Sequence, residues 1–143
     1  SQRDWPFACV HKDYAGNTFN AAMKSVKKLD ENPPSRQTNE YSLYKLIRAL
    51  MRVQYARQYE QAGNQVKAND FYRESVLEVT EGIVSARVGL DWLPESLMMA
   101  GSAYEKLKLN KSAENVYKQI TKFYEGSIWA TESQKRLEAL PAS

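Results

Sequence analysis

The chain has little with which to do chemistry. Its 143 residues include one cysteine, Cys9, and one histidine, His11. A single thiol cannot close an internal disulfide, so cysteine usage leaves the redox compartment open. The pair "CVH" falls short of the four Cys or His ligands that structural zinc sites usually assemble, and residues two apart rarely leave the histidine free to face the thiol as a base. Glycine and proline are also scarce, at six and five residues, which excludes collagen-like repeats and Pro/Gly-rich disorder. Long hydrophobic runs are missing too. The most apolar window, "LIRALMRV" from Leu46 to Val53, is interrupted by Arg48 and Arg52, so nothing reads as a free bilayer-spanning helix. The stretch "SQRDWPFACV" lacks the apolar core of a secretory signal, but a signal already removed would leave no trace, so export stays open. There is no Gly-rich phosphate loop, no metalloprotease helix motif and no nucleophile elbow. Carboxylates are plentiful, yet they stand at helical spacing from lysines, as in Glu105 with Lys108 and Glu132 with Lys135, the pattern of solvated ion pairs. The expectation is a protein without catalytic residues, cofactor or metal.

What is present is an ordinary globular composition, 43% hydrophobic and 26% charged, with a net charge of +3 spread among nearly balanced signs. The length suits one domain with a real core. The basic stretches "KSVKK" (24–28) and "KLKLNK" (106–111) are interleaved with tyrosines elsewhere, which keeps a nucleic-acid or other anionic ligand as the alternative to a protein partner. A solvated face, with lysine stems laid on apolar neighbours, explains them more simply.

From Asn39 to Ala62 the residues Leu43, Leu46, Ile47, Leu50, Met51, Tyr55 and Tyr59 recur at spacings of three and four, which predicts one long amphipathic helix. Gly63-Asn64 ends it, and a second helix is expected over 65–87, folded back as an antiparallel hairpin because the turn is so short. Further helices are expected over 94–108, 111–124 and 128–140, with Asn110 and "EGS" (125–127) marking the turns. An earlier helix should run from "AGN" (15–17) to about Asp30. No segment alternates as a strand does.

The chain also repeats itself. At an offset of 45, Ala56, Tyr59, Ala68 and Tyr72 fall on Gly101, Tyr104, Ala113 and Tyr117. Small residues match small and aromatics match aromatics, as expected where each unit must bury its face against a similar neighbour. Gly101 and Ala113 are candidates for close helix approach, and Tyr104 and Tyr117 for filling the gaps between helices. This pattern resembles the tetratricopeptide repeat, with Leu97, Gly101, Tyr104, Ala113 and Tyr117 at the packing positions of residues 92–127. Ile120 and Glu125 stand where the family places a second Ala and a Pro. The resemblance implies an all-α fold of helical hairpins stacked as a right-handed solenoid. Residues 38–87 would form a hairpin of unusually long helices, about 14–37 a partial N-terminal repeat, and 128–140 a capping helix, all within one domain. Ala22, Val26, Leu29 and Pro34 fit the second helix of that partial repeat, although the "AGN" match favours Ala21 instead.

The tail "KFYEGSIWATESQKRLEAL" (122–140) is similar to a segment of bacterial envelope tetratricopeptide proteins, the BamD-like outer-membrane assembly lipoproteins and YbgF-like periplasmic coordinators. Tyr124, Ser127, Trp129, Ala130, Arg136 and Leu137 carry that match. The resemblance implies a periplasmic or outer-membrane-associated scaffold, with a cytoplasmic one as the alternative, binding a protein or peptide in a concave groove. By the family's pattern that groove would be lined by Leu50, Val53, Arg57, Met98, Ser102 and Glu105. Arg57 with Lys106 would orient an acidic partner, and Trp129 would either extend the surface or plug the last hairpin. Chaperone-tail adaptors of this family place Lys and Asn at groove positions where Val53, Arg57, Met98 and Ser102 stand here, which disfavours that role.

Overall fold

A computed structural model describes residues 26–86 and 92–141, and every regular element among them is helical. Cys9, His11, the "AGN" of 15–17, Ala21 and Ala22 lie outside the described residues, as do residues 87–91. The helices are α1 (Asn39–Gln61), α2 (Gln65–Ser85), α3 (Leu93–Lys106), α4 (Asn110–Phe123) and α5 (Ile128–Ala139), preceded by a helical turn at 26–31. Each packs along the one before it, and α3 also touches α1 and α5 more lightly.

Local chemistry sets the boundaries. The Asn64 side chain accepts a hydrogen bond from the Lys67 amide at 3.1 Å and starts α2, and Ser127 does the same for the Ala130 amide at the start of α5. Pro94 sits in the first turn of α3, where its missing N–H is no loss. The two hairpin turns are copies of each other. The Asn64 amide bonds to the Tyr59 carbonyl and the Leu109 amide to the Tyr104 carbonyl, each at 2.9 Å. Both turns pass through the left-handed region, at Gly63 (φ 81°) in the first and at Lys108 (φ 61°) in the second. The second turn therefore pivots on Lys108, and Asn110, expected to mark it, is the first residue of α4.

The long hairpin is long at its base. At the offset of 45, the start of α3 at Leu93 falls on Arg48 and the end of α4 at Phe123 falls on Glu78, so the surplus sits at 39–47 and 79–85. These extensions pair with one another. A β-carbon on Gly82 would come within 2.9 Å of the Lys45 β-carbon and 3.1 Å of the Ser42 carbonyl oxygen, so glycine is what lets α2 approach α1 there. The overshoot is closed by Trp92, whose indole N–H donates to the Ser42 hydroxyl at 3.0 Å.

The main buried core is drawn from α1 to α4 and includes Leu46, Ala49, Val53, Ala56, Ala68, Tyr72, Val79, Met98, Met99, Ala113, Tyr117 and Ile120. A satellite cluster of Val26, Tyr41 and Tyr44, with Ile47 and Met51 against it, joins the 26–31 turn to the base of α1. At the other end α5 buries Ala130 and Ser133 and packs Trp129, Leu137 and Leu140 on the core, while Thr131, Gln134, Lys135 and Glu138 face outward.

Candidate partner-binding surfaces

The repeated tyrosines bring a repeated polar contact. The Tyr72 hydroxyl donates to the Glu60 carboxylate, and the Tyr117 hydroxyl, 45 residues on, donates to Glu105. Burial, followed by the adjacent carboxylate, pushes both phenols well above the ordinary tyrosine range. Glu105 also receives the Arg136 guanidinium from α5 at 3.4 Å. The signal for this contact is present in the sequence, because "YE" opens both copies of the repeat at 59–60 and 104–105.

That network bears directly on the expected groove. Met98 is fully enclosed, and its sulfur accepts a hydrogen bond from the Ser133 hydroxyl of α5 at 3.0 Å. Val53 and Ser102 are buried as well. These three residues are interior rather than partner-facing, which corrects their expected place on an open groove. For Met98 the reason is packing: α5 lies against α3 and covers the face that carries it. Leu50 and Trp129 are half-buried and packed on the core. Arg57 is half-buried, Glu105 is held by Tyr117 and Arg136, and Lys106 is exposed. Ala56, Ala68, Tyr72, Gly101, Ala113 and Tyr117 are buried, and Tyr59, Leu97 and Tyr104 pack against the same core.

Near the turn of the long hairpin is an aromatic cluster that periodicity alone does not reveal, since its rings come from two helices. Phe71 of α2 stacks on Tyr59 of α1, with centroids 5.5 Å apart and planes 12° from parallel, and meets Tyr55 at the same centroid distance. The Lys67 ammonium stands 5.2 Å from the Tyr59 centroid. Tyr55, Gln58, Tyr59, Ala62 and Phe71 line an open cavity of about 380 Å³. Half-exposed rings beside a cation provide apolar anchors with polar edges.

Farther toward the base the same flank is a ladder of charges. Glu78 takes Lys45 at 3.2 Å and Arg48 at 2.9 Å, Arg48 reaches Asp30 at 2.6 Å, and Arg52 reaches Glu74 at 3.3 Å. Burial alone would lower the Lys45 ammonium, but the hydrogen bond to Glu81 and the charge of Glu78 outweigh it and hold the pKa above the usual lysine value. The bond to Lys45 in turn holds Glu81 below the usual carboxylate range. A cavity of about 280 Å³ lined by Lys27, Asp30, Arg48, Met51, Arg52 and Tyr55 opens here.

Among the described residues no three His, Cys, Asp or Glu side chains gather in a way that could hold a metal ion. No described helix is long and apolar enough to cross a membrane. No protein-family model matches the chain, and comparison with curated proteins and with solved structures gives no match.

Proposed function

We propose that this chain is a noncatalytic scaffold of the tetratricopeptide type, whose stacked hairpins form a right-handed solenoid that binds a partner protein. The observation that carries this reading is the identity of the two hairpin turns. The same backbone hydrogen bonds, the same left-handed pivot and the same tyrosine-to-glutamate contact recur at one offset. A unit repeated with its packing intact and its surface varied is the organisation of repeat proteins that act by binding. Rigid paired helices hold their exposed side chains without a large ordering cost on association.

The partner's contacts fall on side chains that are at least partly exposed. Tyr55, Tyr59 and Phe71 serve as anchors, Lys67 supplies a nearby cation, and Leu50, Arg57 and Lys106 remain from the groove expected by resemblance. Placement in the bacterial envelope, in an assembly or coordinating role, rests on the tail segment 122–140 and is part of the same proposal. An anionic ligand is less well supported, because Arg48 and Arg52, the cations lining the basic cavity on α1, already face Asp30, Glu74 and Glu78.

Affinity capture from a bacterial envelope extract tests the reading. The native chain should retain a protein that a folded Phe71→Asp, Arg57→Glu variant loses and that a control Lys135→Glu variant, altered on the polar back of α5, keeps. Equal retention by all three would reject the proposed surface.

A further inference from the structure

One helix face is left unused by the contacts described above. On α2 the residues Val66, Asp70, Arg73, Leu77, Thr80 and Val84 follow one another at spacings of four and three, opposite the buried row of Ala68, Tyr72, Ser75, Val79 and Gly82. Three of them are large apolar side chains left in solvent: Val66 at 77%, Leu77 at 66% and Val84 at 81% exposure. Between Val66 and Leu77 lie Asp70 and Arg73, paired with each other at 3.0 Å and themselves 63% and 61% exposed. Single exposed apolar residues are unremarkable, but a seam at coiled-coil spacing with a charge pair at its middle is a surface with a register.

We infer that this face of α2 joins a second copy of the chain through an antiparallel, two-fold helix contact centred between Asp70 and Arg73. The charge order selects the occupant and the orientation. Across such an axis Asp70 meets Arg73 of the other copy and Arg73 meets Asp70, while Val66 packs on Leu77 at both ends, so the patch is complementary to itself. Lys67 and Glu74 flank the seam on one side, seven residues apart, and also meet opposite charges across the axis. A parallel pairing instead sets Asp70 against Asp70 and Arg73 against Arg73. Val84 lies outside the paired segment, beyond the point where the other copy's α2 begins.

Exchanging an exposed ion pair within the chain for one between chains is nearly neutral, so the four apolar side chains drive association and the charges fix its register. The contact uses one helix face and falls below the area of a standard stable interface, so dimerisation should depend on concentration.

Sedimentation of the full chain over a range of concentrations provides the test, with circular dichroism confirming that each variant is folded. A monomer–dimer equilibrium is expected for the native chain. Leu77→Asp should weaken it by about tenfold or more, because two carboxylates enter the seam. Arg73→Asp should weaken it similarly by gathering four carboxylates at the axis, and the exchanged variant Asp70→Arg, Arg73→Asp should restore it. Val84→Asp should change it least. A native chain that stays monomeric throughout would overturn the inference, even if the stripe proved to bind a different protein. A dimer indifferent to Leu77 and Arg73, or an exchanged variant that fails to recover, would overturn it equally.

Discussion

Gly101 lies directly beneath the ring of Tyr117: a β-carbon on the glycine would meet the tyrosine Cε1 at 2.5 Å and Cζ at 2.8 Å. The ring cannot easily retreat, since it is fully buried and its hydroxyl is tied to Glu105. Gly101→Ala should therefore destabilise the chain by about 1–2 kcal/mol, the overpacking cost exceeding the ~1 kcal/mol that alanine normally gains over glycine inside a helix. Urea unfolding measures this directly, and a more stable variant would mean that the ring moves aside freely. At the offset of 45 the counterpart of Gly101 is Ala56, itself fully buried, so the first hairpin already carries a methyl group at the matching position.

The buried phenols make stability depend on alkaline pH. Tyr72 and Tyr117 have folded pKa values raised above the unfolded value of about 10, by burial first and by Glu60 and Glu105 second. A raised pKa means that the folded state holds the proton more tightly. The stability it represents is complete below pH ~10 and is lost as pH climbs through the folded values. Unfolding free energy should therefore fall above pH ~10 in the native chain, and Tyr72→Phe, Tyr117→Phe should flatten that fall while lowering stability near neutrality by about 1 kcal/mol per lost hydrogen bond. Tyrosinate absorbance during the titration should lose two late-ionising phenols between the native chain and the double variant, leaving the smaller upward shifts of Tyr44 and Tyr124 in place, and an unchanged alkaline limb in the double variant would contradict the assignment.

Lys108 holds a left-handed conformation in the second turn, where the first turn has Gly63. A lysine pays ~1 kcal/mol in steric strain for that φ, and glycine does not. Lys108→Gly should raise stability by a few tenths to ~1 kcal/mol, while Gly63→Ala should lower it by about 1 kcal/mol although, among the described residues beyond its chain neighbours, nothing lies within 4 Å of the new β-carbon. Thermal midpoints of the two variants moving in opposite directions would confirm that the turns share one geometry.

The helices, their order and most of the core were legible because their signals are local. Spacings of three and four among Leu, Met and Tyr, and the turn residues Gly63, Asn64, Gly126 and Ser127, act within a few residues of the structure they specify. The repeat was legible because Ala68 and Ala113, like Tyr72 and Tyr117, answer the same packing demand twice. What was not legible depended on neighbours distant in sequence. Lys108 gives no sign of φ 61°, because its side chain suits an ordinary helix end and the turn's hydrogen bonds force the conformation. Gly82 reads as a weak point in α2 until Ser42 and Lys45 are set against it. Met98 occupies the right position along α3 for a groove, but the docking of α5 encloses it, and Ser102 one turn on is buried as well. The aromatic cluster of Tyr55, Tyr59 and Phe71 likewise exists only once two helices are paired.

Met98 separates an interior site from a groove most sharply. It is wholly buried beneath α5, with the Ser133 hydroxyl on its sulfur. Met98→Asp buries a carboxylate in place of an apolar side chain and should cost about 4 kcal/mol or more, against less than about 1.5 kcal/mol for the volume-conserving Met98→Leu. Because the damage lies between α3 and α5, the first region to yield should be the connection from Tyr124 to Ser127, seen as early proteolytic cleavage there before the α1–α2 hairpin is attacked. An open groove makes the opposite prediction: Met98→Asp would leave both unfolding and proteolysis unchanged and would alter only partner binding. A variant that folds with native stability would return Met98 to the surface and require α5 to sit elsewhere.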